Sequence, residues 1–166
     1  MHRITGPLLF LCIVSISGCG GESNEQRLKR LVPNANKTTK VTGNVTVNGQ
    51  PGKDLWVTLH STSGIELRPR AQCDDKGHFA IGTYLGDDGA PPGDYKITIE
   101  WLTFSRLGGA GWVGPDKLKD KYNDPKKTPF DITVADKPIT LPTFELEVNA
   151  EEAANAKPKL RLTKER

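Results

Sequence analysis

From residue 40 onward, apolar residues recur at every second position in short runs. The first run places Val41, Gly43, Val45 and Val47 on one face, with polar residues between them. This alternation predicts a β-strand with one buried face. The other runs are Leu55/Val57/Leu59, Phe79/Ile81, Tyr95/Ile97/Ile99/Trp101, Phe130/Ile132/Val134, Phe144/Leu146/Val148 and Leu160/Leu162. About seven short strands without a clear amphipathic helix predict an all-β fold, an antiparallel β-sandwich of Greek-key type.

Two turns between these runs can be assigned from their residues. Asn48-Gly49 separates the first two runs and predicts a hairpin, because both residues tolerate a positive φ. In the next hairpin, a three-residue loop with Gly77 left-handed places Phe79 opposite Cys73. A two-residue loop would instead turn charged and polar side chains inward without partners. The three-residue loop is therefore predicted, and with it the burial of Cys73.

The amino-terminal segment has the order of a secretory signal. Residues 1–3 are a basic start, residues 8–14 form an apolar run too short to span a bilayer, and Ile16-Ser17-Gly18-Cys19 is a small-residue end that resembles a bacterial lipobox. We expect residues 1–18 to be removed and Cys19 to be acylated, which would anchor the exported protein to a bacterial membrane, at the outer membrane or cell surface. Residues 19–39 are polar and aperiodic, which predicts a flexible tether with one helical turn near 25–31.

Composition adds constraints on stability and partners. The chain has 36% hydrophobic residues, 17 Gly and 12 Pro, which suits short strands joined by turns. A net charge of +3 over mixed signs gives no reason to expect nucleic-acid binding. Of the 3 Cys, Cys12 leaves with the signal peptide and Cys19 is the lipidated residue, so Cys73 has no disulfide partner. The domain must therefore be stabilised by packing.

Residues 105–128 interrupt the alternation and are predicted to form a long irregular loop. Glycines surround Trp112, and five lysines follow with Tyr122 among them. Such segments in compact domains are usually functional or disordered. Two interpretations stay open: a mobile basic loop that binds a polysaccharide or an acidic partner, or a connection whose aromatic residues fold back onto the sandwich. The candidate ligand-binding residues are Trp112, Tyr122, Lys117, Lys119, Lys121 and, on an outward strand face, Trp56.

Three segments resemble known domains in their turn and core positions. Val41–Pro51, Asp75–Tyr84 and Asp88–Ile99 carry a G-x-V-x-x-x-G-x-P opening, a D-x-x-G-x-F hairpin and a G-x-Y-x-(I/V) strand. These recur in carboxypeptidase regulatory-like and transthyretin-like, or prealbumin-like, domains. Segments 121–125, 128–130 and 141–146 are similar to those of small exported lipoproteins of planctomycete-type bacteria that carry such a domain. The resemblance covers residues 40–148 and implies one transthyretin-like sandwich, which we assign to residues 40–166.

The resemblance also supplies one catalytic alternative, because transthyretin-like folds include the 5-hydroxyisourate hydrolases. Those enzymes use histidines, an arginine and a C-terminal Tyr-Arg-Gly-Ser, whereas this chain ends Leu160–Arg166 and has His60 and His78 at predicted surface positions. The Asp pairs at 74–75 and 87–88 abut turns, where Asp is expected for its local hydrogen bonds. We therefore predict no catalytic residue, no metal and no cofactor.

The expected function is that of a lipid-anchored, exported, non-catalytic structural or binding module of the cell envelope. A carbohydrate-binding module is the first alternative, and a transthyretin-like hydrolase is the second. The expected partners are the membrane, through the lipid anchor, and an envelope polysaccharide or protein.

Overall fold

A computed structural model describes residues 22–64, 66–107, 110–154 and 156, with the side chains of residues 103–112, Glu152 and Ala154 outside this description. The predicted signal peptide, the acylated Cys19 and the last apolar run, Leu160/Leu162, also lie outside the described residues. Within the described ranges, no helix has the length and apolar character needed to cross a membrane.

Strands dominate the described part of the chain. The helices are α1 (Asn24–Leu31) and α2 (Ala150–Ala154). The strands are β1 (Val41–Val47), β2 (Gln50–Pro51), β3 (Trp56–Ser61), β4 (Arg70–Gln72), β5 (His78–Ala80), β6 (Gly93–Glu100), β7 (Leu102–Leu107), β8 (Ala110–Asp116), β9 (Asp131–Val134), β10 (Ile139–Thr140) and β11 (Phe144–Leu146). The predicted all-β fold is confirmed. The strands outnumber the seven expected because several are hydrogen-bonded runs of only two or three residues.

Two sheets form a β-sandwich around one core. The four-stranded sheet has the order β4-β3-β6-β9 and is antiparallel throughout. The five-stranded sheet is built around β1, which pairs antiparallel with β2 and β5 but parallel with β10 and β11. The sandwich is therefore partly mixed, which the alternation along single strands does not reveal because it carries no information on the direction of neighbours.

The predicted hairpin register is confirmed around Cys73. Gly77 has a φ of 77°, and the Asp74 N–H donates to the His78 carbonyl at 2.8 Å, which closes the three-residue loop. Cys73 is 3% exposed and lies in the same core as Phe79. The Asn48-Gly49 turn is also confirmed, since both residues have positive φ. The hairpin that it closes joins β1 to β2, however, and the second apolar run lies in β3 of the other sheet.

The segment predicted as an irregular loop at 105–128 begins with a β-hairpin instead. Its strands β7 and β8 pair antiparallel, with Ser105 opposite Trp112. After the hairpin, the chain folds back onto the sandwich, where Leu118 and Tyr122 are buried in the core. For this second half, the interpretation as a connection with core aromatics is correct.

The predicted tether contains α1 and ends in contact with the domain. Ser23 caps the helix through a capping box with Gln26. Farther along, Thr39 and Ala90 exchange backbone hydrogen bonds of 2.8 and 2.9 Å, so the domain holds the chain just before β1.

Candidate functional site

A groove of about 480 Å³ lies at the β4 edge of the four-stranded sheet. Its volume is within the range of small-ligand sites. We call it the Trp56 groove, after the aromatic residue on its floor. It is lined by Trp56, Arg68, Arg70, Ala71, Gln72, Ala80, Gly82, Thr83, Tyr84, Leu85 and Gly86.

Strand alternation presents Trp56 to this groove. Val57 and Leu59 of β3 are fully buried, so their neighbour Trp56 must project from the opposite face of the sheet. Across the ladder, Trp56 lies opposite Gln72, and Arg70 is one pair farther along the same face. The Arg70 guanidinium carbon lies 5.0 Å from the centroid of the Trp56 ring, which is a cation–π contact.

The indole nitrogen of Trp56 has an unusual environment. Nε1 is buried, and it has no hydrogen-bond partner among the residues that the structure describes. A buried donor without an acceptor destabilises a protein by about 1–3 kcal/mol. Because the atom is enclosed, an acceptor reaches it only when a neighbouring side chain moves. A bound molecule that moved such a side chain and offered an oxygen would recover this free energy.

One aspartate organises the loop that forms the opposite wall. The Asp88 carboxylate accepts backbone N–H groups from Thr83 at 2.7 Å, from Tyr84 at 3.2 Å and from Leu85 at 3.1 Å. The loop turns so tightly that a Cβ on Gly82 would lie 1.5 Å from the Gly86 carbonyl oxygen. Glycine is therefore required at position 82.

The groove is positively charged. Arg68 and Arg70 line it, and no carboxylate is found among its lining residues. Neither arginine forms an ion pair with any residue that the structure describes. Burial, together with the nearby Arg68 charge, lowers the pKa of His60 below its usual value, and His60 shares a 2.8 Å hydrogen bond with Thr98.

Of the other predicted ligand-binding residues, Tyr122, Lys117, Lys119 and Lys121 do not line the Trp56 groove. Tyr122 is 8% exposed, and the centroid of its ring lies 5.6 Å from that of Phe130, on which it stacks. Tyr122 is therefore a core residue, and its prediction as a ligand-binding residue is wrong. Lys121 lies 5.0 Å from the Tyr122 ring, and Lys117 lies 4.4 Å from the Trp101 ring. Those two lysines cover core aromatics, with their charged ends directed over the rings.

Lys119 and Trp112 complete the predicted set. Lys119 is exposed in the turn after β8 and has a φ of 56°. The backbone of Trp112 lies in β8, while its side chain is outside the described residues. Among the candidate residues whose side chains the structure describes, Trp56 lines a groove with aromatic and cationic character.

A second, wider groove of about 760 Å³ includes Lys121. Glu145 and Glu147 line it as well, so its charges are mixed. The Asn48 side chain in its wall already has hydrogen-bond partners: it donates to the Val148 carbonyl at 2.8 Å and accepts from the Val148 N–H at 3.0 Å. Its described lining residues include no aromatic residue and no buried side-chain polar atom without a hydrogen-bond partner.

The titratable and nucleophilic groups are dispersed. His60 lies in β3 of the four-stranded sheet, whereas His78 lies in β5 of the other sheet. Burial, aided by the Asp74 charge, raises the pKa of the Cys73 thiol to about 12, so the thiolate nucleophile is suppressed at neutral pH. In the described ranges, no group of three or more His, Cys, Asp or Glu residues is placed to hold a metal ion.

Sequence reasoning missed Arg68, Arg70 and Tyr84, whereas the local backbone hydrogen bonds of Asp88 are the role that its place at a turn predicted. A faint indication was present: Arg68 and Arg70 flank Pro69, and Arg68, Arg70 and Gln72 alternate with Pro69 and Ala71, as in an edge strand. Tyr84 and Asp88 lie in a Gly-rich turn whose path over the sheet edge is a tertiary property.

Comparisons with known proteins give similarities of fold only. No protein-family model matches the sequence, and no curated protein matches it. A proposed carbohydrate-binding protein from Pseudomonas aeruginosa is similar at 12% identity and a TM-score of 0.36, over 72% of this chain and 95% of that chain. A 9R-lipoxygenase from Cyanothece matches at 12% identity and a TM-score of 0.40, over 66% of this chain and 16% of that one. A DUF3823 family protein from Parabacteroides merdae matches at 20% identity and a TM-score of 0.30, over 69% and 47% respectively. TM-scores of this size carry no argument about what this chain binds.

Proposed function

We propose that this protein is a non-catalytic binding module of the cell envelope, and that it binds carbohydrate in the Trp56 groove. One observation carries the proposal: a Trp ring and a guanidinium 5.0 Å from its centroid line the same open groove. Sugar rings offer an apolar C–H face for an aromatic ring and many oxygens for N–H donors. The groove supplies both kinds of partner.

The arrangement also favours binding over catalysis. The ring and the guanidinium are anchored on paired strands, and the facing loop is held by three backbone hydrogen bonds to Asp88. These groups can attract and orient a ligand. They are not suited to proton transfer, because an arginine does not titrate at physiological pH and an indole is neither an acid nor a base. The two described histidines are in different sheets and do not share a site with them.

The test is binding of isolated envelope polysaccharide to Trp56→Ala and Trp56→Phe variants. Removal of an aromatic stacking partner is worth about 1–3 kcal/mol, so we expect Trp56→Ala to weaken binding roughly tenfold or more. Trp56→Phe keeps a ring and should retain most of the affinity. Thermal unfolding of each variant verifies that it is folded. Unchanged polysaccharide binding by folded Trp56→Ala would overturn the proposed site.

We further propose that Cys19 anchors the module by lipidation. The support is the sequence of the first nineteen residues, with a basic start, an apolar run and a small-residue end at Ile16-Ser17-Gly18-Cys19. Stable anchoring needs more than one acyl chain, each buried methylene adding about 0.8 kcal/mol. Mass spectrometry of the mature protein should find Cys19 as a modified first residue, and Cys19→Ser should release the protein from membranes. A mature form with an unmodified Cys19 would contradict the proposal.

A further inference from the structure

Resting on the proposed function, we infer that the Trp56 groove selects sugars that carry an anionic group, a carboxylate or a sulfate. Arg68 and Arg70 are the residues that bind the anion, and Trp56 contacts the sugar ring. The inference goes beyond carbohydrate binding in general because it assigns the charge of the ligand and the residues that recognise it.

The two arginines of the groove have no ion-pair partner among the described residues. No carboxylate is found among the residues that line the groove. Other exposed cations of the chain do have such partners, for example Lys53 with Asp75 at 2.6 Å. A ligand carboxylate or sulfate would supply the missing counter-charge in a shape that fits a planar guanidinium.

The two arginines are aligned along one strand edge. Arg70 lies opposite Thr58 in the β3–β4 ladder, and the Leu59 N–H donates to the Pro69 carbonyl at 2.8 Å, which continues the ladder toward Arg68. Residues two apart on a strand share a face at a spacing of about 6.6 Å. Arg68, Arg70 and Gln72 therefore form a line of donors beside Trp56.

Arg70 lies over the indole ring of Trp56. A guanidinium that lies over an aromatic face keeps its N–H groups free for acceptors in its own plane. Arg70 can therefore hold an anion while it remains in contact with Trp56. Because both groups are fixed on paired strands, the anion and the sugar ring are recognised together.

The experiment compares pairs of ligands that share a sugar skeleton and differ in the presence of an anionic group. Oligogalacturonate and its methyl ester share one sugar skeleton, and sulfated and unsulfated galactan oligomers form a second pair that separates sulfate from carboxylate as the source of the anion. Binding is measured by calorimetry with the full mature chain in detergent micelles, at low and high salt. We expect at least one anionic probe to bind about tenfold or more tightly than its neutral counterpart, with a preference that weakens as salt rises.

Three variants assign this preference to the groove. Arg70→Gln should remove most of the difference between the charged and neutral probes, and Arg70→Lys should restore only part of it because an ammonium lacks the planar fork. Lys137→Gln is the matched control, since it deletes one exposed positive charge at a residue that lines neither groove. It should leave the preference unchanged. An equal loss in Lys137→Gln and Arg70→Gln would overturn the inference, because the preference would then follow net charge alone.

The remaining outcomes separate the two proposals. Equal binding of charged and neutral probes, lost in Trp56→Ala, overturns the anion preference and leaves the carbohydrate site intact. Failure of all four probes overturns the inference, and the assay with native envelope polysaccharide then decides the proposed function independently. If Arg70→Gln does not fold, Arg68→Gln and Arg70→Lys give the same comparison.

Discussion

The hydroxyl of Tyr84 accepts a hydrogen bond from the backbone N–H of Asn36 at 3.1 Å, across 48 residues of sequence. Tyr84 also lines the Trp56 groove. One side chain therefore belongs both to the groove wall and to the attachment of the segment that leads toward the proposed lipid anchor. A ligand or substitution in the groove that moves the Tyr84 ring would therefore change its hydrogen bond with Asn36.

Removal of this hydroxyl should loosen the segment before the domain. Tyr84→Phe deletes the acceptor for Asn36 while the ring keeps its place, and an exposed hydrogen bond contributes about 0.5–1.5 kcal/mol. We expect faster proteolysis within residues 32–38 with little change in the melting temperature. Tyr95→Phe is the matched control, because it deletes the buried 2.8 Å bond to the Pro91 carbonyl. That variant should lower the melting temperature without faster cleavage of the segment, and the opposite pattern would contradict the assignment.

The Asp88 carboxylate should control the shape of the groove. Asp88→Ala leaves the N–H groups of Thr83, Tyr84 and Leu85 without their acceptor, and hydrogen bonds to a charged group contribute about 1.5–3 kcal/mol each. We expect polysaccharide affinity to fall several-fold and amide exchange at 83–85 to accelerate. Asp87→Ala removes an exposed carboxylate next to it and should change neither. Identical effects of the two substitutions would mean that net charge, and not the loop, is responsible.

The thiol of Cys73 should make stability depend on pH in the alkaline range. Burial raises its pKa to about 12 from 9.0, so the unfolded chain loses this proton at lower pH than the folded one. The stabilisation is fully present below about pH 9 and is lost as pH rises toward 12, at up to about 1.4 kcal/mol per pH unit. The stability advantage of wild type over Cys73→Ala should therefore shrink by about 1–2 kcal/mol between pH 8 and pH 10.5. Denaturant unfolding of both proteins measures it, and a constant difference would contradict the expected shift.

The rate at which the Cys73 thiol reacts with a reagent is an independent measure of its burial. In a protein with Cys12 and Cys19 replaced by Ser, Cys73 should react slowly with a thiol reagent in the native state and rapidly in denaturant. Cys73→Asp should destabilise the domain far more than Cys73→Ala, because it buries an unpaired charge. Rapid native labelling would show that the thiol is accessible.

Gly43 and Phe79 form a complementary pair across β1 and β5. They are register partners, and a Cβ on Gly43 would lie 2.5 Å from the Cζ atom of Phe79. Gly43→Ala should therefore destabilise the domain by about 1–3 kcal/mol through overpacking. Adding Phe79→Leu should recover part of this loss, and a double-mutant cycle of unfolding free energies measures the coupling. Strict additivity would show that the ring and the glycine do not interact.

The sequence predicted the features that alternation and turn chemistry determine locally. Leu55, Val57 and Leu59 are fully buried, as their spacing indicated. The position of Cys73 followed from a single comparison between two loop lengths, because a shift by one residue would have buried polar side chains.

The parts that could not be predicted depend on contacts between distant segments. Tyr122 lies among lysines in the sequence, yet it is a core residue because the chain after β8 returns to Phe130. The contact between Trp56 and Arg70 required the β3–β4 register, and periodicity in either strand alone does not give that register. The parallel pairing of β1 with β10 and β11 could not be predicted for the same reason.

Those parallel partners have a consequence for the way in which the chain reaches its folded state. β1 is the first strand of the sandwich, and it pairs with β10 and β11 near the end of the described chain, where the Thr42 and Thr140 hydroxyls meet at 3.2 Å across 98 residues. Closing so long a loop is slow, and the contacts it brings form late. A chain that crosses a membrane amino end first would complete its sandwich only after Leu146 has emerged. If the chain is exported as proposed, this late pairing would leave the sandwich incomplete until most of the chain has crossed the membrane.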